Sequence, residues 1–461
     1  MVCYESLLPQ SPILPRFAMH VLPPRLFSRV TLIAVCLLAA KAWPSAAENW
    51  PQWRGPEGNG VSHETNLPVS WTKASGIAWQ CPIPQWGDST PSIWGDAIFV
   101  TTQVDNEKLV LLRINKKTGQ VAWTRQVGVA KCPHKAALLK AGEQRRHQAF
   151  QEVQNFASPS PVTDGEVVVV HFGNGDLAAY DSDGKQLWRR NLQKDYGDYT
   201  IWWGHANSPV LYDNLVISIC IQDSCADLPG KPSPSYVVAH DKRTGRECWK
   251  TMRMTAATKE SCDSYTTPIF RNNNGRPELI VMGGQMLDAC DPTTGKRLWY
   301  LPDLTGNRTI TGPVAAHGMI YATQGMQQAL LAVRPGGPGR RTRGDFAWQF
   351  SRGTSDSPTP VVWGESLMLV TNDGIARCLD AITGRLLWKE RLKGNYRASP
   401  LAADGRIYFL NTQGLTTVVA ASPRFSRLAE NQLDEETFAS PIVSDGHIFI
   451  RGRKTLYCLG K

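Results

Sequence analysis

Nothing beyond residue 47 is apolar for long enough to cross a bilayer, and the run before it, Val30 to Ala40, is also too short. Basic residues are not concentrated either. The densest group, Arg340, Arg341 and Arg343, falls in a Gly/Pro-rich loop and reads as solvated surface, so no nucleic-acid partner is expected. The nine histidines are scattered, without HExxH or repeated CxxC spacing, and Cys132-Pro-His134 has no second ligand pair to complete a metal site. GxSxG elbow, P-loop and dinucleotide fingerprint are all missing. No two of the eleven cysteines are adjacent, and the nine after residue 47 are an odd number whose spacing assigns no pairs.

What is present begins with an export signal. Arg25 and Arg29 precede the apolar run, and small residues follow, with Ser45 and Ala47 placed for cleavage before Glu48. Translation starting at Met19 would give this signal a more usual length, and the residues before Cys36 make a poor lipobox. Cleavage removes four basic residues and one acidic one, which takes the formal charge from +10 to +7. Residues 1–47 are therefore expected to be a signal peptide and 48–76 an extended segment. The remainder, 77–461, is a repeat domain exported to the periplasm or beyond.

Sixteen tryptophans are the main clue to that domain. A small residue and proline open a unit at Thr90-Pro91, Ser158-Pro159, Ser208-Pro209, Thr267-Pro268, Gly312-Pro313, Ser357-Pro358, Ser399-Pro400 and Ser440-Pro441. Glycine and tryptophan four residues apart close most units: Gly119/Trp123, Gly184/Trp188, Gly245/Trp249, Gly295/Trp299, Gly344/Trp348 and Gly384/Trp388. Four period-2 segments per unit read as a four-stranded antiparallel meander, and eight such units predict an all-β, eight-bladed β-propeller. The last unit stops after three strands. The surplus strand around Trp79 is expected to complete it and close the ring, removing the exposed sheet edges. Each tryptophan buries about 150–250 Å² between blades, worth roughly 4–6 kcal/mol as an upper bound. The set Trp79, Trp123, Trp188, Trp249, Trp299, Trp348 and Trp388 is thus read as inter-blade adhesive. The seventh unit lacks its tryptophan and is expected to use Phe425 or a weaker outer strand.

The segments Ala239-His-Asp-Lys-Arg-Thr-Gly-Arg-Glu-Cys-Trp249 and Ala289-Cys-Asp-Pro-Thr-Thr-Gly-Lys-Arg-Leu-Trp299 resemble the tryptophan-docking motif of quinoprotein dehydrogenases. Asn115–Trp123 and Asp380–Trp388 match except at the alanine, and Asp181–Trp188 is one residue short. The chain therefore resembles the PQQ-like (pyrroloquinoline-quinone repeat) propellers, which include quinone-dependent alcohol dehydrogenases and non-enzymatic BamB-type outer-membrane assembly factors. Its opener, Asn49 to Gly60, resembles exported bacterial members of that group. The dehydrogenase resemblance would imply a vicinal Cys-Cys pair and convergent Glu/Asn/Asp ligands for a calcium-bound quinone. This sequence has no adjacent cysteines and no segment resembling those ligands. It has no CxxCH haem site either.

Residues just ahead of each opening proline are expected near the channel mouth. They give a polar candidate set for ligand binding: Asp88, Asn155, His205, Asn207, Tyr265, Arg308, Asp356 and Arg397. Trp202 and Trp203 either stack a planar ligand or sugar there or pack against the next blade. A short helix is expected in an insertion at about 125–157. These observations favour a monomeric, non-catalytic binding or scaffold module for a protein, peptide or carbohydrate, with no cofactor. A quinone-dependent oxidoreductase using pyrroloquinoline quinone and calcium, and a BamB-like assembly factor, are the alternatives.

Overall fold

Alternating apolar residues and tight glycine turns build eight four-stranded antiparallel meanders, the blades of a propeller, over residues 92–129, 162–191, 210–252, 269–301, 314–350, 361–391, 401–432 and 442–459. The computed structural model describes residues 48–131, 154–224, 234–326 and 328–460. The expected signal peptide, the 132–153 part of the expected helical insertion, and Cys132, His134 and Cys225 lie outside them. Residues 125–129 of that expected insertion belong to a strand, Val121–Val129, the outermost of blade 1. Ile77–Pro82 pairs antiparallel with Thr455–Leu459 and supplies the fourth strand of blade 8, as the sequence implies. Helix is confined to short pieces such as Leu192–Tyr196, and no helix among the described residues is long and apolar enough to cross a membrane.

The first strands of neighbouring blades approach one another and line the channel. Their entrances are joined by a ring of hydrogen bonds in which a backbone N–H of one blade donates to a hydroxyl of the next. Thr90 N reaches Ser160 Oγ at 2.9 Å, Ser160 N reaches Ser208 Oγ at 2.9 Å and Ser208 N reaches Thr267 Oγ1 at 3.3 Å. Gly312 N reaches Thr359 Oγ1, Thr359 N reaches Ser399 Oγ, Ser399 N reaches Ser440 Oγ, and Ser440 N closes on Thr90 Oγ1 at 3.3 Å. The one junction without such a bond is the one that needs a hydroxyl at Gly312. This ring corrects the register of two units. The residues equivalent to Thr90 are Ser160 and Thr359, each two positions beyond the Ser158 and Ser357 expected from sequence.

The tryptophans hold the blades laterally. The Trp79, Trp188 and Trp348 indoles donate Nε1–H to Lys116, Lys242 and Ala381 carbonyls of the next blade, all at 2.9 Å. Trp123 and Trp388 do the same to Ser182 and Ser422 at 3.1 Å. Each ring of the first three lies on the glycine of the neighbouring turn so closely that a Cβ at Gly119 would stand 2.6 Å from Trp79, a clash only glycine avoids. Trp249 packs on Gly295 in the same way.

Two tryptophan junctions differ from expectation. Trp299 is fully buried but bonds Glu278 within its own blade, and Gly344 sits in a short helical turn, Arg343–Asp345, away from it. There, Gly339–Arg340 adds a parallel strand along Trp299 and Tyr300. In blade 7 the position of the docking tryptophan is held by Ala429, not Phe425. Phe425 instead packs edge-on against Trp388, 5.2 Å between centroids. The missing bulk comes from the extended N-terminal segment. Leu67 and Trp71 are buried in the same core cluster as Ala429, and Trp71 N donates to Asn431 Oδ1. Cys378 and Cys458 are buried opposite Trp388 and Trp79 in their strands, which agrees with a packing role.

Candidate functional site

The N-terminal segment closes one end of the channel. Trp50 exchanges two backbone hydrogen bonds with Ile93, Pro51 O accepts from Thr163 N, and Val61–Ser62 runs parallel to Ala402–Ala403. Between these anchors Arg54, 2% exposed, donates to the carbonyls of Pro400 (2.8 Å), Pro360 (2.5 Å) and Asn59 (2.6 Å). Burial pulls its guanidinium down to about 9. Trp53 fills the space that glycine leaves at 312, where a Cβ would stand 3.2 Å from its ring. Pro360 and Pro400 each follow a ring hydroxyl by one residue, and Gly312 is itself the ring position of its blade.

At the other end the strands begin, and the residue two positions before each ring hydroxyl or its equivalent lines one cavity of about 340 Å³. All eight blades contribute: Asp88, Ser158, Ala206, Tyr265, Ile310, Ser357, Arg397 and Phe438. Gln154, Trp203 and Arg308 complete the wall. Side chains of an extended chain alternate between faces, so even offsets from the ring look into the mouth and odd offsets look between blades.

That parity sorts the expected site residues. Asp88, Tyr265 and Arg397 (offset two) and Arg308 (offset four) line the cavity. Asn207, His205 and Asn155, at odd offsets, are buried among blades. Asn207 Nδ2 donates to the carbonyls of Ser264 and Thr266, and Asn155 Nδ2 donates to that of Trp86. His205 stacks on Tyr199 at 4.6 Å, with Nε2 3.0 Å from the Ile219 carbonyl. Burial lowers its pKa to about 4 in spite of that hydrogen bond. Asp356, also odd, is half-buried behind the wall, and burial raises its carboxyl against the pull of Arg308 and Arg397. Trp203 is the exception: it follows the odd rule by count yet reaches the cavity, because Gly204, at φ +85°, breaks the alternation. Ser158, Ala206, Ile310, Ser357, Phe438 and Gln154 were not expected. The doubled Ser-Pro-Ser-Pro and Ser-Pro-Thr-Pro openers, read from their second proline, carry the signal for two of them.

One wall is a fixed polar cluster. Glu260 accepts from Arg308 Nη1 (2.7 Å), Asn307 Nδ2 (2.9 Å) and Trp203 Nε1 (3.0 Å). Burial alone would raise its carboxyl, but these three donors hold it below the usual range. Arg308 also lies over the Trp203 ring, and Trp203 N donates to the Tyr265 hydroxyl. Opposite, burial pushes the Asp88 carboxyl up to about 7, although Arg451 and Arg453 pull it down. Arg451 is itself fully buried and donates to the carbonyls of Ser89 and Thr101.

No curated protein matches the chain in sequence. Solved structures share its fold at low identity. BamB from Moraxella catarrhalis is 13% identical with a TM-score of 0.57, covering 83% of this chain and 99% of that one. The quinohemoprotein alcohol dehydrogenase of Comamonas testosteroni is 13% identical with a TM-score of 0.63, covering 89% and 80%. The donor set at the mouth does not fit a calcium-held quinone. Glu260 is engaged by its three donors, and Asp88 is the one carboxylate among the described residues that lines the cavity, too few oxygens for a calcium site. Among the described residues no three His, Cys, Asp or Glu side chains gather as a metal site, and no cysteine lines the cavity. Over residues 61–230, 154–340 and 289–428 the sequence matches the family described as outer membrane protein assembly factor BamB, and the chain belongs to that family of PQQ-repeat propellers.

Proposed function

We propose that this protein is an exported, non-catalytic binding propeller whose ligand, a peptide or carbohydrate element, enters the channel mouth. The observation that carries the reading is the convergence of one residue from every blade on a single cavity, while the opposite end is filled by the chain's own Trp53 and Arg54. A cavity of this size, with aromatic walls and a few fixed charges, suits a small ligand or one projecting segment of a larger one. Membership of a family described by an assembly factor supports a binding role, and the mismatch of the carboxylates to calcium weighs against a quinone enzyme.

A photo-cross-linking residue placed at Ser357, in the mouth, and at Asn274, on an exposed hairpin, tests it in the full chain. Adducts from Ser357 that fade with unlabelled competitor, and none from Asn274, are the expected outcome. Adducts from Asn274 alone would overturn it. So would substrate-driven dye reduction after incubation with pyrroloquinoline quinone and calcium.

A further inference from the structure

The mouth holds two opposite charges that the protein itself leaves uncompensated. Asp88 lines the cavity and, among the described residues, makes no hydrogen bond or ion pair. Arg397, on blade 7, is exposed and donates only Nη1 to Ser357 Oγ at 3.0 Å. Phe438 of blade 8 stands between them, so the two charges share one cavity without pairing. Asp356 lies behind the wall and outside the cavity lining, in the field of Arg308 and Arg397, and the basic groups nearby have partners of their own. Arg308 has Glu260, Arg451 has backbone carbonyls, and Arg453 has Glu436 at 2.7 Å. At the closed end the two terminal nitrogens of Arg54 are likewise matched by backbone carbonyls.

Bringing a ligand into such a cavity strips water from both charges, and that cost is offset only by charges of opposite sign on the ligand. A dianion meets Asp88, a dication meets Arg397, and a neutral sugar offers each only a dipole. We infer that the mouth takes a zwitterionic ligand of the short-peptide type, its ammonium on Asp88, its carboxylate on Arg397 and its body against Phe438. The about 340 Å³ of space suits two or three residues, with Ser158, Ser357 and Gln154 available to the amide groups between the ends. Charge-assisted hydrogen bonds at both ends select length and direction together. This inference rests on the mouth being the binding face.

Isothermal titration of the full chain with di-, tri- and tetra-alanine, their N-acetyl and C-amide forms, and trehalose tests it. At least one uncapped peptide is expected to bind, with each cap weakening it tenfold or more. In Asp88→Asn the acetyl cap should lose its effect while the amide cap keeps it, and in Arg397→Gln the reverse should hold. The capping series on the unaltered chain stands by itself if either variant folds poorly. Peptides that bind equally with and without caps would overturn the inference. Trehalose binding that either substitution weakens, with no peptide binding, would also overturn it while keeping the mouth as the binding face. No binding by any probe, together with no adduct from Ser357, would remove both readings.

Discussion

The two ends of the channel are built from the same eight inner strands, yet they treat polar groups in opposite ways. At the closed end Arg54 is buried, and its terminal nitrogens donate to backbone carbonyls of the ring and of its own segment. At the mouth Asp88 is left without a partner and Arg397 with one hydroxyl. A buried guanidinium survives only where its donors are met, whereas uncompensated charge at a cavity costs stability and persists where something else uses it. The repeat therefore builds a stable ring once, and each end is given its character by non-repeating residues.

The largest effect is expected at the closed end. Arg54→Leu leaves the Pro360 and Pro400 carbonyls without a donor, and urea unfolding should show a loss of about 3–5 kcal/mol. A loss under about 1 kcal/mol would erase the contrast between the ends. Close behind comes Trp71→Ala, expected to cost about 3–4 kcal/mol and to match Trp188→Ala, because both leave a large hole at a blade junction. A much smaller loss for Trp71→Ala would mean the N-terminal segment only lies on blade 7 without replacing its tryptophan.

Asp263 sharpens the comparison from the mouth side. It is buried behind the wall, where its Oδ2 accepts from Trp202 N, and burial pushes its carboxyl up to about 8. The folded protein then keeps a proton that the unfolded chain releases above about pH 4, so stability falls as pH rises from about 4 to 8. Asp263→Asn removes that titration. Its stability relative to the unaltered chain should climb across this window by on the order of 5 kcal/mol, and a difference flat with pH would contradict the assignment. The smallest effect is expected at the mouth itself, where Arg397→Ala should change stability by no more than about 0.5 kcal/mol. His205→Ala, expected at the mouth from sequence but buried against Tyr199, should cost several times as much.

The ring was legible because its determinants repeat. Tryptophan on glycine, hydroxyl before proline and alternating apolar strands recur often enough to count, and even the strand around Trp79 follows from a missing partner. The mouth was only half legible. Asp88, Tyr265, Arg308 and Arg397 share an even offset from the ring, but His205, Asn207 and Asn155 sit one step out of phase, and a one-residue slip turns a side chain from the cavity to the core. The doubled prolines at 159/161 and 358/360 concealed the phase in two blades. Trp71 was not legible as an adhesive, since it lies outside any repeat and its role depends on Ala429, over 350 residues away.

The central claim is that the unpaired charges of the mouth serve a ligand and not the fold. The urea midpoint of an Asp88→Asn/Arg397→Gln double variant, with and without millimolar tri-alanine, tests it most directly. Without peptide the variant should unfold at the same or a higher urea concentration than the unaltered chain, and peptide should raise the midpoint of the unaltered chain alone. A variant that already unfolds early without peptide, or that gains as much from peptide as the unaltered chain, would contradict the account.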